Sequence, residues 1–284
     1  MLLLAIPLSL SGITAPIKLL FCYAMFRLLY PARKWPRLYT LLSSLIHKYP
    51  YFRSQRLVFE SNAAVPVKDS SVMLAVFPHG AICIGGTINL VLSQQIQQAE
   101  VELLGSSMLF ILPILSDILK WCSVGKVSKS YMTTLMNRGQ NVALLPGGFE
   151  EAAMYQRFHH DVFLRERKGF VKYALRYGYK ISLVYTFGEE GTYNALQPAR
   201  NLRLKLARRK IPGILFWSKL GWLPDPNNHI VTVVGDPICL PRSPEPSDEE
   251  IEKYHALLMS SLSRLFDKYK VEFARDPTAS LNIS

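Results

Sequence analysis

"VMLAVFPHGAICIGG", residues 72 to 86, sets one histidine between two apolar runs. Val72 to Phe77 carry no polar side chain, so they read as a strand buried on both faces, the kind that parallel sheets contain. Pro78 keeps Phe77 extended and ends the strand, which leaves His79 in the turn that follows. A helix is expected to begin near Gly80 or Ala81. Open α/β sheets bind ligands at that carboxyl edge. A histidine there can accept a proton near neutral pH, and N–H groups at a helix start can hold a developing oxyanion. A buried structural histidine is the alternative that this stretch alone leaves open.

Outward from this stretch, "NVALL" (141 to 145), "KISLVYTF" (180 to 187) and "HIVTVV" (229 to 234) read as further strands of the same kind. Helical patterns fall between them at 107 to 122, 130 to 138, 168 to 178 and 198 to 210. The alternation predicts an α/β fold with a mixed or mainly parallel sheet flanked by helices. A last helix follows the Pro-rich break at 244 to 246, with Ser247 as N-cap and Asp248 to Glu250 in its first turn. Its residues Ile251, Tyr254, Leu258, Leu262, Leu265 and Tyr269 recur at helical spacing, as a packed face requires.

Between Leu2 and Tyr30 only Lys18 and Arg27 are charged, and Arg33, Lys34 and Arg37 follow. Pro7, Gly12, Pro16 and Lys18 interrupt the apolar run, so two legs of about 14 residues are expected. Each would rise about 21 Å, short of the roughly 30 Å hydrocarbon core. The expectation is a membrane-embedded hairpin over 1–34 and a domain over 35–284, kept on the cytosolic side by the basic cluster. A cleaved signal peptide fits less well, because a basic start is missing and the apolar stretch runs on past Lys18.

The 284 residues are 49% hydrophobic and 19% charged, with a net charge of +12 that favours an anionic partner. Basic and apolar residues interleave in "RERKGFVKYALRYG" (165 to 178) and "RNLRLKLARRK" (200 to 210), which suits headgroups or the phosphates of a thioester such as coenzyme A. Nucleic acid is not the expected partner. Cys22, Cys83, Cys122 and Cys239 form no CxxC pair and read as reduced packing residues. GxSxG, GxxxxGK, HExxH and GxGxxG are all absent, which removes most hydrolase, nucleotide and zinc chemistries. What remains is "FPHG" and "ALLPGGFEEA" (143 to 152), a second buried strand followed by Gly147, Gly148 and the carboxylates Glu150 and Glu151. The glycines allow close approach of a ligand, and either carboxylate could orient His79 or bind substrate.

Together these blocks resemble the type-2 diacylglycerol acyltransferases and their monoacylglycerol and wax-alcohol relatives. "FPHG" is similar to that family's His-Pro-His-Gly block, "LLPGGFEEA" to its Gly-Gly-x-x-Glu block and "RKGFVKYALRYG" to its Arg-x-Gly-Phe block. "VYTFGE", "VVGDPI" and the C-terminal helix extend the resemblance through nearly the whole chain. It implies acyl transfer from acyl-CoA to a lipid hydroxyl, diacylglycerol first, in the endoplasmic reticulum membrane and at lipid droplets. His79 would be the base and Glu151 its carboxylate, with Pro78, Gly80, Gly147, Gly148, Arg167, Gly169 and Phe170 at the substrate. Acyl-CoA would be a co-substrate, with no bound cofactor and no metal; the partners would be a neutral-lipid acceptor and the membrane, and a homo-oligomer is compatible.

Three positions depart from the family pattern. Phe77 replaces a common polar residue, leaving His79 alone to carry protons, and Leu183 replaces a frequent proline. Related glycerophosphate-type acyltransferases have Asp five positions after the histidine, where this chain has Ile84. A carboxylate partner must come from elsewhere, Glu151 being favoured over Glu150 and Asp117. Cys83 is the only nearby nucleophile, and no acyl-enzyme is required. A catalytically silent membrane or lipid-droplet protein and a lipid-transfer protein are the rival classes.

Overall fold

The computed structural model describes residues 14 to 284, Pro212 excepted. Its strands in chain order are β1 (Ser54–Phe59), β2 (Val72–Phe77), β3 (Glu102–Gly105), β4 (Val124–Lys126), β5 (Val142–Leu144), β6 (Asp161–Val162), β7 (Lys180–Phe187), β8 (Asn194–Ala195), β9 (Phe216–Trp217), β10 (His229–Val234) and β11 (Asn282–Ile283). Its helices are α1 (Thr14–Leu29), α2 (Pro36–Lys48), α3 (Gln94–Gln98), α4 (Leu115–Trp121), α5 (Lys129–Asn137), α6 (Gly148–Met154), α7 (Gly169–Tyr177), α8 (Arg200–Arg208) and α9 (Asp248–Phe273).

Seven strands form one sheet in the order β1-β10-β7-β2-β5-β3-β4. β7, β2, β5, β3 and β4 run parallel, while β10 lies antiparallel to β7 and carries β1 parallel to itself. The sheet is therefore mixed and mainly parallel. β2 sits in the middle with all six residues buried, and its side chains alternate between two cores. Met73, Ala75 and Phe77 pack with Val171, Leu175, Leu258 and Leu262 of α7 and α9. Val72, Leu74 and Val76 pack on the opposite face with Leu90, Ile96 and Val234. Helices on both faces explain why the central strands are apolar throughout.

β2, β7 and β10 have the expected bounds. The direction of β10 corrects the parallel reading of "HIVTVV": burial on both faces demands apolar residues and leaves strand polarity open. β1, β3 and β4 were not expected, because Arg56, Glu102 and Lys126 break their apolar pattern. The single helix expected over 107 to 122 is two pieces, a 3-10 turn at Ser107–Ile111 and α4, separated at Pro113. The helix expected at Gly80 or Ala81 starts later: helical backbone begins at Ile84 and winds as a π-helix over Gly86–Val91.

α9 begins with a capping box. Ser247 Oγ accepts from the Glu250 N–H at 3.1 Å, and Glu250 Oε2 accepts from the Ser247 N–H at 3.0 Å. The helix buries Ile251, Leu258, Leu262 and Leu265 as expected, and adds His255 and Phe266. Tyr254 and Tyr269 are only partly buried against that core.

The first leg of the expected N-terminal hairpin falls largely outside the described residues. The second leg is α1, whose Leu19, Phe21, Leu28 and Leu29 are each at least 66% exposed. Among the described residues no helix is long and apolar enough to cross a membrane. Asp117 holds α1 to the domain: it pairs with Arg27 at 2.5 Å and accepts from the Tyr23 hydroxyl.

Candidate active site

Three neighbouring parallel strands, β7, β2 and β5, end at the same edge of the sheet. The loops that leave them are "FPHG", "LPGGFEE" and "GEEG". Sheet order therefore gathers residues more than 100 positions apart.

His79 lies in the first loop, half-buried. Its Nδ1 is 3.2 Å from the Gly80 carbonyl oxygen, an atom that can only accept. Nδ1 therefore carries the hydrogen and Nε2 keeps its lone pair, with no hydrogen-bond partner among the described residues. Desolvation lowers the pKa of the ring from its ordinary 6.5, which keeps it neutral and ready to accept a proton.

Two buried carboxylates shape the loop around it. Glu151, on α6, accepts from the backbone N–H of His79 and from that of Phe163, the latter at 2.8 Å. It thus grips the backbone beside the imidazole and makes no bond to the ring, so it orients His79 through the main chain. Gly147 permits this, because a Cβ there would collide with the Glu151 carboxyl group. Glu189, in the loop after β7, accepts from the N–H groups of Ile84 at 3.0 Å and Gly85 at 2.6 Å. Burial pushes each carboxyl up to about 7.

Glu189 changes the reading of the oxyanion donors. The helix start is occupied, since its first two N–H groups face a carboxylate. The N–H groups of Gly80, Ala81 and Ile82 have no acceptor among the described residues, and they lie in the turn that carries His79. Gly80 stands at φ +59 with Glu189 Oε1 2.5 Å from where a Cβ would be, so only glycine makes this turn without displacing the carboxylate.

The remaining expected residues divide into two groups. Pro78 is buried next to His79, and Gly148 opens α6. Arg167 pairs with Glu150 and lies 5.2 Å over the Phe163 ring, whose own N–H is held by Glu151. These stay with the cluster. Gly169 is exposed at the start of α7 with open space where a Cβ would be, and Phe170 is buried in the core against that helix's side of the sheet. Phe170 packs in the core cluster at the first turn of α7. Asp117 anchors α1 and is no partner of His79.

Two other groups can be judged as competitors. Cys83 is buried, and both desolvation and Glu189 push its thiol well above the ordinary value, so the thiolate needed for a covalent route is disfavoured. Cys83→Ala is expected to retain acyl transfer in membranes; a loss as deep as that of a His79 variant, in a folded protein, would restore the covalent route. His160 is enclosed by Tyr185, 3.0 Å from its Nδ1, and by Phe266, and its pKa falls to about 4. It stays neutral and inaccessible. Among the described residues no group of three or more His, Cys, Asp or Glu side chains is placed to hold a metal ion.

The sequence model of the family described as diacylglycerol acyltransferase matches residues 46–284. The chain belongs to the diacylglycerol acyltransferase family. It is 32% identical to diacylglycerol O-acyltransferase 2 of Dictyostelium discoideum, across 75% of this chain and 70% of that protein. It is 30% identical to acyl-CoA wax alcohol acyltransferase 1 of Homo sapiens, across 99% of this chain and 95% of that one. It is 32% identical to 2-acylglycerol O-acyltransferase 3 of Homo sapiens, across 71% and 65%. No solved structure matches the chain. As a diacylglycerol acyltransferase family member the protein is an acyltransferase, and its family model spans all three loops of the cluster.

Sequence reasoning missed Glu189. The signal was present in "VYTFGEE", a carboxylate pair at the carboxyl end of a buried strand, but its meaning depends on β7 lying beside β2.

Proposed function

We propose that this acyltransferase moves a fatty acyl group from acyl-CoA to the free hydroxyl of diacylglycerol, giving triacylglycerol and CoA, with His79 as general base. The observation that carries the reading is a neutral imidazole whose Nε2 has no partner among the described residues, in one turn with three N–H donors that likewise have no acceptor among them. An alcohol is a poor nucleophile until it loses its proton, whereas a thiolate leaves readily because its acid has a pKa near about 8.5. Nε2 takes the hydroxyl proton as the oxygen attacks the thioester carbonyl, and the N–H groups of Gly80 to Ile82 hold the oxyanion. The carbon–sulfur bond then breaks, and the proton passes from His79 to the departing thiolate. Atoms and charge balance without an acyl-enzyme.

Diacylglycerol as acceptor is supported by the similarity to diacylglycerol O-acyltransferase 2 of Dictyostelium discoideum and of Xenopus tropicalis. A long-chain alcohol is the second reading, favoured by the alignment to the wax alcohol enzyme across 99% of this chain. Expression in a triacylglycerol-deficient host with labelled diacylglycerol, monoacylglycerol and fatty alcohol separates them. Triacylglycerol is the expected main product, and wax ester alone would overturn the first reading. The exposed apolar surface of α1 supports placement at a membrane, which by resemblance is that of the endoplasmic reticulum or a lipid droplet.

The pH dependence follows from the sign of the His79 shift. Its active form is neutral and its pKa lies below 6.5, so titration of His79 itself is expected to lower the rate only on acidification below that value, whereas Glu151 and Glu189, raised to about 7, begin to protonate already as the pH falls through neutrality. In initial-rate measurements a rate that falls as the pH is raised from 6 to 8 would contradict a neutral imidazole as the base.

A further inference from the structure

The two basic stretches end up in different states. In the first, Arg167 pairs with Glu150, Lys168 with Glu252, and Arg165 donates to the Ile283 carbonyl at 2.8 Å. The second stays largely unneutralised. From Tyr193 to Pro224 there is no Asp or Glu, while Arg200, Arg203, Lys205, Arg208, Arg209, Lys210 and Lys219 all fall in this segment. Among the described residues its one ion pair is that of Arg208 with Glu166, at 3.6 Å.

Beyond α8 the chain returns as β9, which pairs antiparallel with β8 from before the helix, and then reverses in a tight hairpin at Ser218–Gly221 that presents apolar side chains to the outside. Leu215 is 66% exposed, Trp217 46%, Leu220 52%, Trp222 78% and Leu223 57%. The tip that carries them is well ordered by its own bonds. Ser218 and Gly221 exchange backbone hydrogen bonds at 2.9 and 3.2 Å, and Ser218 Oγ accepts from the Leu220 N–H at 2.9 Å. Gly221 supplies the left-handed turn at φ +70. The hairpin thus holds its leucines and tryptophans outward although water is a poor solvent for them.

We propose that this hairpin tip, with the basic collar of α8, is a second membrane contact that inserts into the interface of an anionic lipid surface. Tryptophan suits that depth because its ring is apolar and its N–H finds water or headgroups. Lysine and arginine around an apolar tip gain from the attraction of anionic headgroups. A nucleic acid would use the charge and leave Leu215, Leu220 and Leu223 in water, so lipid is the better fit.

The inner side of the same hairpin explains its position. Phe216, Ile214 and Ala195 pack on Tyr193, Tyr155 and Ala81, and Ile84 joins that cluster. Ala81 and Ile84 belong to the turn that carries His79. A lipid surface held at the tip is therefore one packed layer from the base, on the route that a membrane-dissolved acceptor would take. That link to substrate supply rests on His79 being the base; the membrane contact does not.

The test uses the full chain in vesicles whose lipids carry bromine at a shallow or a deep acyl position, with and without anionic phosphatidylserine. Trp217 and Trp222 are read as the difference in fluorescence between the wild type and a Trp217→Phe/Trp222→Phe variant, which leaves Trp35 and Trp121 as background. The expected result is strong quenching of the difference signal by the shallow label, protection from aqueous iodide, and loss of both in Arg208→Glu/Arg209→Glu/Lys210→Glu. His79→Ala should leave the signal unchanged, which separates this inference from the catalytic reading. A difference signal quenched by iodide and untouched by brominated lipid would overturn it. So would protection from iodide without lipid quenching, which would point to a protein or nucleic acid partner.

Discussion

His79→Ala is expected to leave the chain folded and in membranes while lowering acyl transfer by about 10²- to 10⁴-fold, the usual contribution of a positioned general base. The ring is half-buried and its one hydrogen bond is to the neighbouring carbonyl, so its removal disturbs little packing. The backbone N–H that Glu151 holds survives the substitution, and with it the shape of the turn. His79→Gln sharpens the test, because it keeps a polar side chain of similar reach and supplies no base. Both variants should be equally inactive with unchanged thermal melting. Activity of either near wild type would remove His79 from the chemistry.

Glu189→Ala is expected to act in the opposite way, through the fold of the site. Its carboxyl group is fully buried and satisfies the N–H groups of Ile84 and Gly85, so truncation leaves one part-buried and one buried donor without this acceptor. A buried orphan costs about 1–3 kcal/mol and the part-buried one adds less, giving a loss on the order of 1–4 kcal/mol against a typical total of about 5–15 kcal/mol. The same change removes the group against which Gly80 is packed. Lower melting temperature and lower activity should therefore appear together. Glu189→Gln keeps the shape and one acceptor, and should recover part of both. An Ala variant that melts like the wild type would show that the two N–H groups find water or another acceptor.

The contrast between these variants shows which parts of the site could be read from sequence. His79 was legible because a proline-terminated apolar strand leaves it little choice of position. The identity of Glu151 was legible too, as the fifth residue of "GGFEE", yet its bond to a backbone N–H could not be, because loop geometry decides whether a carboxylate meets a ring or a main chain. Glu189 lies 105 positions from Ile84, and its role appears only once β7 is known to lie beside β2. The strands follow the same rule. β2 and β7 announce themselves by apolar residues on both faces, whereas β3 and β4 carry Glu102 and Lys126 at their ends and are too short to show a period. Phe170 stands in a family-like block, and its packing in the core was not legible from that block, since helical spacing alone does not say which side of α7 meets the sheet.

The measurement closest to the central claim is the release of free CoA thiol by membranes that carry the full chain, supplied with acyl-CoA in the presence and absence of diacylglycerol. Thiol should appear only with the acceptor, one equivalent for each triacylglycerol formed, and not at all above background with His79→Ala. Thiol release that ignores the acceptor, or that survives loss of His79, would contradict the account.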